Sequence, residues 1–200
     1  MALSWFLFAS LGMVTARYAK NIDKNLFGKK LWFRIHQLCM ITTWLLTIVG
    51  VVLIFIEKKT VPLEISNINR NPHGLVGLIT AILAFIQPFL AFLRPDPNSS
   101  KRWIFNYGHF SIGTISMILA VFAIFLVNGL DSLKIDSETG VIVCIIFSVI
   151  YVTVHLVSTL VTVFIKNQAG KNLIIKFMLI FITLTGIACA SAMIYLIFDQ

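Results

Sequence analysis

Long apolar runs dominate this 200-residue sequence and constrain its fold more than any other feature. Six runs can be distinguished, at residues 2–16, 31–56, 73–93, 104–127, 141–165 and 173–198. A helix needs about 20 apolar residues to cross the hydrocarbon core of a bilayer, and the last five runs reach that length. We therefore expect an all-α fold, a bundle of six transmembrane helices whose solvent is the lipid bilayer.

The composition argues against most soluble classes of protein. Only 12% of the residues are charged and 58% are hydrophobic, whereas a soluble chain of this size keeps too much surface in water to be so apolar. The net charge of +8 comes from basic residues between the apolar runs, which is typical of membrane topology. No nucleic-acid partner is therefore expected. The three cysteines stand singly inside apolar runs, which argues against a covalently attached haem or a thiolate zinc site.

The first apolar run is shorter than the others. Its 15 residues rise only about 22 Å as a helix. Basic residues follow this run rather than precede it, which is not typical of a cleaved signal peptide. We therefore expect the chain to begin partway into its first helix, as a fragment of a longer protein.

Lysines and arginines are divided unevenly between the two sides of the predicted bundle. Twelve of the 16 follow the first, third and fifth runs, and the other four follow the second and fourth. Cytoplasmic loops carry the excess of positive charge, so the twelve mark the cytoplasmic side. Both termini are then non-cytoplasmic, in a multi-pass protein of the plasma membrane or an endomembrane.

The four histidines of the chain each fall on a different predicted helix, from the second to the fifth. They are His36, His73, His109 and His155. Ionisable side chains inside spanning helices are rare and usually functional, although a single one can simply bond a backbone carbonyl. One imidazole on each of four helices predicts a four-helix core around two b-type haems, with the histidines as axial ligands of the iron. Zinc sites usually have short spacings such as HxxxH, and the sequence has none.

Depth along the helices indicates which histidines share a haem. His36 and His109 each lie five residues past the cytoplasmic start of their run, about 7–8 Å in, so their depths match. His73 and His155 remain as the second pair by elimination. Their match is poorer, because His73 is at the mouth of its helix whereas His155 is 14 residues, or about 21 Å, into the fifth run.

Several motifs accompany these histidines. They are ARYAK after the first run, WFRIH around His36, HGLVG from His73, and QPFLAFLRP followed by KRWIFNYGH and Gly113. Together they resemble the cytochrome b561 family, and most closely its ferric-chelate reductase branch, in which an extracellular DOMON domain precedes the membrane core. The resemblance covers essentially the whole chain, as a single membrane domain of residues 1–200. The DOMON domain is either removed here or absent from a free-standing variant.

The resemblance implies two non-covalent haem b groups. Their ligands would be His36 and His109 on the cytoplasmic side, and His73 and His155 on the other. It also implies transmembrane electron transfer by an ascorbate-dependent ferric-chelate reductase. Cytoplasmic ascorbate would be the donor, and a ferric chelate or monodehydroascorbate on the other side would be the acceptor.

Four polar residues are candidates for contacts with haem or substrate. Arg94 and Arg102 lie in the motif stretch, where they could bind haem propionates or ascorbate; alternatively, they are only the usual cytoplasmic charges. Arg70 could bind a propionate on the other side. Asn106 could contact a propionate or the backbone of the haem pocket.

Two glycines follow histidines at the same spacing. Gly77 comes four residues after His73, and Gly113 four residues after His109. A missing side chain one turn along the same helix face would make room for a flat macrocycle. The alternative is close helix–helix packing through small residues, which is common in membranes.

Other classes of function are also open at this point. The histidines could line a metal or proton path in a transporter, although the apolar runs contain no Asp or Glu away from their ends. A purely structural or adaptor role is the third reading. The sequence leaves the oligomeric state open, with a homodimer as one option.

Overall fold

Helices follow one another through nearly all of the chain that the structure, a computed structural model, describes. The described residues are 1–22, 24–58, 72–96, 98–127 and 137–198. The first helix is π-helical over Leu3–Ala9 and continues without a break as α1, Ser10–Tyr18. The later helices are α2 at Leu31–Lys58, α3 at His73–Phe92, α4 at Arg102–Val127, α5 at Ser137–Phe164 and α6 at Gln168–Phe198. The predicted all-α bundle of six helices is confirmed.

Five of these helices, α2 to α6, are long and apolar enough to cross a membrane. They match the last five apolar runs, which confirms a multi-pass membrane protein. α5 and α6 begin four and five residues before the apolar runs do, at Ser137 and Gln168. The first turn of a spanning helix can lie outside the hydrocarbon, so polar residues there lengthen the helix without meeting lipid.

A short hairpin joins α1 to α2. One 3₁₀ turn, Ala19–Asn21, follows α1, and then β1 (Asn25–Leu26) pairs antiparallel with β2 (Lys29–Lys30). Phe27 and Gly28 form the turn with φ angles of 50° and 72°, the positive values that a two-residue hairpin loop needs. We call the end of the bundle that carries this hairpin the basic end. The connections from α3 to α4 and from α5 to α6 lie there too.

The first helix runs through the middle of the bundle. Its buried side chains pack against α2 on one side and α6 on the other, and they also reach α4 and α5. Ser4 Oγ donates to the Thr43 carbonyl oxygen over 3.1 Å, and Thr43 Oγ1 donates to the Ser4 carbonyl oxygen over 3.3 Å. Phe6 is fully buried and stacks on Phe147 of α5, with ring centres 4.2 Å apart. The surrounding lipid is as apolar as the side chains, so it provides no hydrophobic force between helices. Close packing and interhelical hydrogen bonds therefore hold the helices together.

Gly186 of α6 lies directly against the backbone of the first helix. A Cβ atom at this position would be 2.5 Å from the Phe6 carbonyl oxygen and 2.8 Å from the Leu7 Cα. Both contacts are with backbone atoms, which cannot rotate away as a side chain can. Glycine at this position therefore permits the close approach of α6 to the first helix.

Replacing Gly186 by alanine will lower the stability of the bundle, because α6 then has to move away from the first helix. Overpacking of this kind typically costs about 1–3 kcal/mol. The thermal unfolding midpoint in detergent micelles measures the effect. Gly170→Ala is the matched control, since the nearest atom to a Cβ there is Asn167 Nδ2 at 3.8 Å. Equal midpoints for the two variants would contradict the prediction.

Candidate functional site

Two of the four histidines, one on α2 and one on α4, lie close together near the basic end. His36 is five residues past the start of α2 and His109 is seven past the start of α4. Their ring centres are 6.3 Å apart and their planes are inclined at 80°. Two imidazoles that bind one metal ion from opposite sides, at about 2 Å each, have ring centres roughly 6 to 6.5 Å apart. The spacing therefore suits two axial ligands of one iron.

The backbone of the first helix holds the His36 ring. Nδ1 of His36 donates to the carbonyl oxygen of Gly12 over 3.0 Å, which leaves Nε2 as the nitrogen with the lone pair. Metal-binding histidines usually have this kind of support. A Cβ at Gly12 would be 2.5 Å from Met40 Cε and 2.9 Å from Cys39 Cβ, so glycine lets the two helices approach. The sequence did not predict this role, because one glycine in an apolar run indicates only close packing.

His109 is held by contacts of a different kind. Its ring stacks on Phe105 one turn earlier, with ring centres 5.5 Å apart and planes at 11°. From α3, the side-chain amide of Gln87 donates to the His109 carbonyl oxygen over 3.4 Å. Nδ1 of His109 is buried and has no hydrogen-bond partner within the described part of the chain. A buried nitrogen without a partner is unfavourable, so it indicates that a group from outside the chain completes this site.

His73 and His155 are each bonded to a different neighbouring helix. Nδ1 of His73 donates over 2.9 Å to the carbonyl oxygen of Ala123, four residues before the end of α4. Nδ1 of His155 lies 3.0 Å from the hydroxyl of Tyr18, the last residue of α1. His73 therefore lies near the end of the bundle opposite the basic end, and His155 lies beside the last turn of α1.

Helix geometry gives the level of His73 relative to the pair. Ala123 is 14 residues past His109 on α4, which puts His73 about 21 Å from the histidine pair, away from the basic end. His155 is nine residues before the end of α5, about 14 Å from the basic end. The pairing of His73 with His155 that was expected by elimination stays a prediction.

Arg94 lies at the mouth of the histidine pair. Its side chain is exposed, and its guanidinium is 5.2 Å from the centre of the Phe33 ring. The ammonium of Lys29 is 5.5 Å from the same ring. Partial burial, and then the charge of Arg102, lower the pKa of Arg94. Two cations gathered on one aromatic ring suit an anionic ligand such as a carboxylate.

Arg102 and Asn106 form hydrogen bonds within the chain. Arg102 Nη1 donates to the Pro95 carbonyl oxygen, and its Nε donates to Asn106 Oδ1 over 3.2 Å. These bonds tie the connection between α3 and α4 to the first turns of α4. Arg70, predicted as a propionate partner, lies outside the described residues.

Open space lies beside two glycines of α3 and α4. A Cβ at Gly77 or Gly108 would meet nothing within 4 Å, whereas one at Gly113 would be 3.7 Å from Gln87 Nε2. A groove of about 340 Å³ runs along Gly108 and His109 and is lined mostly by apolar side chains. Of the two open positions, Gly77 was predicted and Gly108 was not. The groove borders His109, though not His36, and offers room for a flat, largely apolar group on that side of the pair.

The donor set also suits a haem better than a bare metal ion. Within the described ranges, no group of three or more His, Cys, Asp or Glu side chains is placed to hold an ion. A protein site for a bare zinc ion usually supplies three or four ligands. The pair supplies two imidazoles with ring centres 6.3 Å apart, the number of ligands that a haem iron can take in addition to its own macrocycle.

Comparison with known proteins places the chain in a family. The model of eukaryotic cytochrome b561 matches residues 1–135. The chain is 32% identical to ferric-chelate reductase 1 of Homo sapiens over 163 residues, 78% of this chain and 27% of that protein. Identity to ferric-chelate reductase 1 of Bos taurus is 35% over 138 residues, 68% and 22% of the two chains. Identity to a cytochrome b561 and DOMON domain-containing protein of Arabidopsis thaliana is 29% over 154 residues, 76% and 36%. The chain belongs to the eukaryotic cytochrome b561 family.

Family membership agrees with the resemblance seen in the motifs, including its ferric-chelate reductase branch. The chain spans about a quarter of the length of the ferric-chelate reductases that it matches. No solved structure matches it. Membership in the cytochrome b561 family implies haem b, and the residues around the His36–His109 pair fit that group.

Filling the space beside Gly108 will keep a flat group away from the histidine pair. We expect Gly108→Leu to lower the haem b content of the purified protein, measured by the pyridine haemochrome spectrum. Nothing lies within 4 Å of this position, so the unfolding midpoint without added haem should stay close to that of the parent chain. Gly170→Leu, at the start of α6, is the control. Full haem content in Gly108→Leu would show that the groove is not the haem site.

Proposed function

We propose that the chain is the membrane electron-transfer domain of an ascorbate-dependent ferric-chelate reductase, with residues 1–200 acting as one domain. The observation that carries the proposal is the His36–His109 pair, with ring centres 6.3 Å apart and one ring held by the first helix. The relatives named ferric-chelate reductase 1 support the reaction class.

Haem b bound between His36 and His109 would supply the one-electron chemistry, while the protein contributes binding, orientation and electrostatics. The two histidines would hold this group through their ring nitrogens. The Gly12 carbonyl fixes the rotation of one imidazole, and the Phe105 ring packs flat against the other. Supports of this kind set the basicity and orientation of the ligands, and these in turn help to set the reduction potential.

Ascorbate is the proposed donor, at the basic end. The positive-inside rule assigns that end to the cytoplasm and both termini to the other side. Ascorbate is an anion at neutral pH, and Arg94 and Lys29 gather positive charge at the mouth of the pair. Arg94 is the better candidate contact than Arg102, because it is exposed and acts electrostatically on both imidazoles. The proposed acceptor on the other side is a ferric chelate or monodehydroascorbate.

A second haem b remains part of the proposal, with His73 as one of its ligands. His73 lies at the end opposite the basic end, and its Nδ1 donates to a backbone carbonyl as that of His36 does. This is the tautomer in which Nε2 can bind a metal. His155, whose Nδ1 contacts the Tyr18 hydroxyl, is the proposed partner ligand.

The structure does not favour a histidine-lined transporter. A proton or metal path needs polar groups that succeed one another through the bundle. Two of the histidines instead lie side by side, with ring centres 6.3 Å apart, and His73 and His155 are bonded to different helices. No observation supports this alternative over electron transfer.

Alanine at His36 and alanine at His109 will each remove the same haem. We expect one haem fewer per chain in either variant and no greater loss in the double variant, because both imidazoles serve one iron. The haem-to-protein ratio and the ascorbate-reduced minus oxidised absorbance spectrum measure this. Thr153→Val, which removes an exposed hydroxyl on α5, is the control. Loss of different haems in the two single variants, or a colourless parent protein, would refute the proposal.

Glutamine at Arg94 will weaken the binding of the anionic donor without removing haem. Loss of a charge-assisted hydrogen bond costs about 1.5–3 kcal/mol, so the KM for ascorbate should rise roughly tenfold or more with little change in kcat. Stopped-flow reduction by ascorbate measures both constants. Lys171→Gln is the matched control at the same end, where Lys171 Nζ bonds the Thr162 carbonyl oxygen over 3.0 Å. An equal rise in KM in both variants would contradict the prediction, because ascorbate binding would then depend only on the total charge at this end.

A further inference from the structure

We propose that the hairpin between α1 and α2 binds an anionic phospholipid of the surrounding bilayer. Lysines of the hairpin would contact the phosphate of the headgroup, and Phe27 at the tip would lie where the headgroups meet the acyl chains. This lipid site is separate from the haem sites, and its occupancy can be measured whether or not the protein transfers electrons.

Basic residues are concentrated in and around the hairpin. The sequence from Arg17 to Arg34 contains six lysines and arginines and one acidic residue, Asp23, which lies outside the described residues. Three of the lysines lie on or beside the hairpin strands and are exposed, at Lys24, Lys29 and Lys30. The positive-inside rule assigns this end to the cytoplasmic leaflet, whose anionic phospholipids attract basic segments next to a spanning helix.

One face of the hairpin combines positive charge with apolar surface. Leu26 and Lys29 are paired across the two strands, so their side chains lie on the same face. Lys24 comes two residues before Leu26 and shares that face, because side chains alternate along a strand. Leu26 is exposed although it is apolar. Such a face suits a phospholipid, whose phosphate is attached to hydrocarbon chains, better than a small hydrophilic anion.

Phe27 occupies the tip of the hairpin in a conformation that does not favour a large side chain. Its φ angle is 50°, and bulky residues are uncommon at positive φ. Asparagine followed by glycine is the preferred sequence for a two-residue turn of this kind. The Phe27 side chain is 84% exposed, so packing within the described part of the chain does not account for it. An exposed aromatic ring beside lysines is typical of a segment that lies in the membrane interface.

Arg34 keeps the tip close to the bilayer surface. It is three residues into α2, and its guanidinium donates to the carbonyl oxygens of Leu26 over 3.4 Å and of Phe27 over 2.9 Å. The length of one arginine side chain therefore separates the tip from the first turn of this spanning helix. Exposed Trp103 and Tyr107, in the first turns of α4, mark the membrane interface at the same end. The hairpin thus lies against the bilayer surface and does not extend away into water.

The test titrates phosphatidylserine and phosphatidylcholine into the full chain in detergent micelles, and native mass spectrometry counts the lipids bound. We expect the parent chain to bind phosphatidylserine more tightly. Lys24→Gln/Lys29→Gln should weaken phosphatidylserine binding roughly tenfold or more, because each lysine near an anionic surface contributes about fivefold. Phe27→Asn should weaken the binding of both lipids, because it removes the aromatic ring while it gives the turn its preferred sequence.

Lys166→Gln/Lys171→Gln is the matched control, since it removes the same charge from the connection between α5 and α6. This control should bind phosphatidylserine as the parent does. Equal affinity of the parent for the two lipids would overturn the proposal, and so would parent-like binding in either hairpin variant. An equal loss in the control would also overturn it, because only the total charge would then matter. Displacement of phosphatidylserine by inorganic phosphate at equal concentration would show an anion site without lipid specificity and would overturn it too.

Discussion

The close fit of the first helix inside the bundle is the constraint on which the rest of the structure depends. Lipid offers no hydrophobic force that would drive one apolar helix against another, so helices associate through close packing and hydrogen bonds. Gly186 lets α6 approach the backbone of this helix, and Ser4 and Thr43 bond it to α2. A bulkier residue at Gly12 would push α2 away. The two glycines, which have no side chain, therefore determine the position of the first helix as much as the hydrogen bonds do.

The last turns of this helix then reach each element around the histidine pair. Gly12 supports His36 on α2, and the Arg17 guanidinium lies 5.2 Å from the ring of Phe110, which follows His109 on α4. Tyr18 bonds α5. These contacts point in different directions from one short helix, so a shift of that helix changes all of them together. A change in the position of the first helix therefore alters the surroundings of both histidines of the pair.

Much of the fold could be predicted from the sequence, because the bilayer sets the length of an apolar helix and the position of its charges. The same reasoning put His36 and His109 at one depth, and the structure brings them together, since both helices start at the basic end. For His73 and His155 it gave a poor match, and their pairing was by elimination, because depth depends on where a helix begins, and α5 begins at Ser137 rather than at residue 141.

The arrangement of helices around the centre was beyond prediction from the sequence. A spanning helix meets lipid or other helices, both of them apolar, so it has no polar face to show which side points inward. The shortest run gave no sign that it would form the middle of the bundle. The role of Gly12 depends on that placement, and so it could not be inferred from its own residue type.

The depth of the histidines also links the number of haems to the direction of electron flow. The level of His73 is about 21 Å from that of the His36–His109 pair, most of a hydrocarbon core of about 30 Å. A single haem at the pair could accept an electron at the basic end, but it would leave that electron far from any acceptor on the other face. A second redox group at the level of His73 shortens the remaining path. Transmembrane reduction and a second haem are therefore one proposal, because a chain with only the first haem could be reduced by its donor and still not serve an acceptor across the membrane.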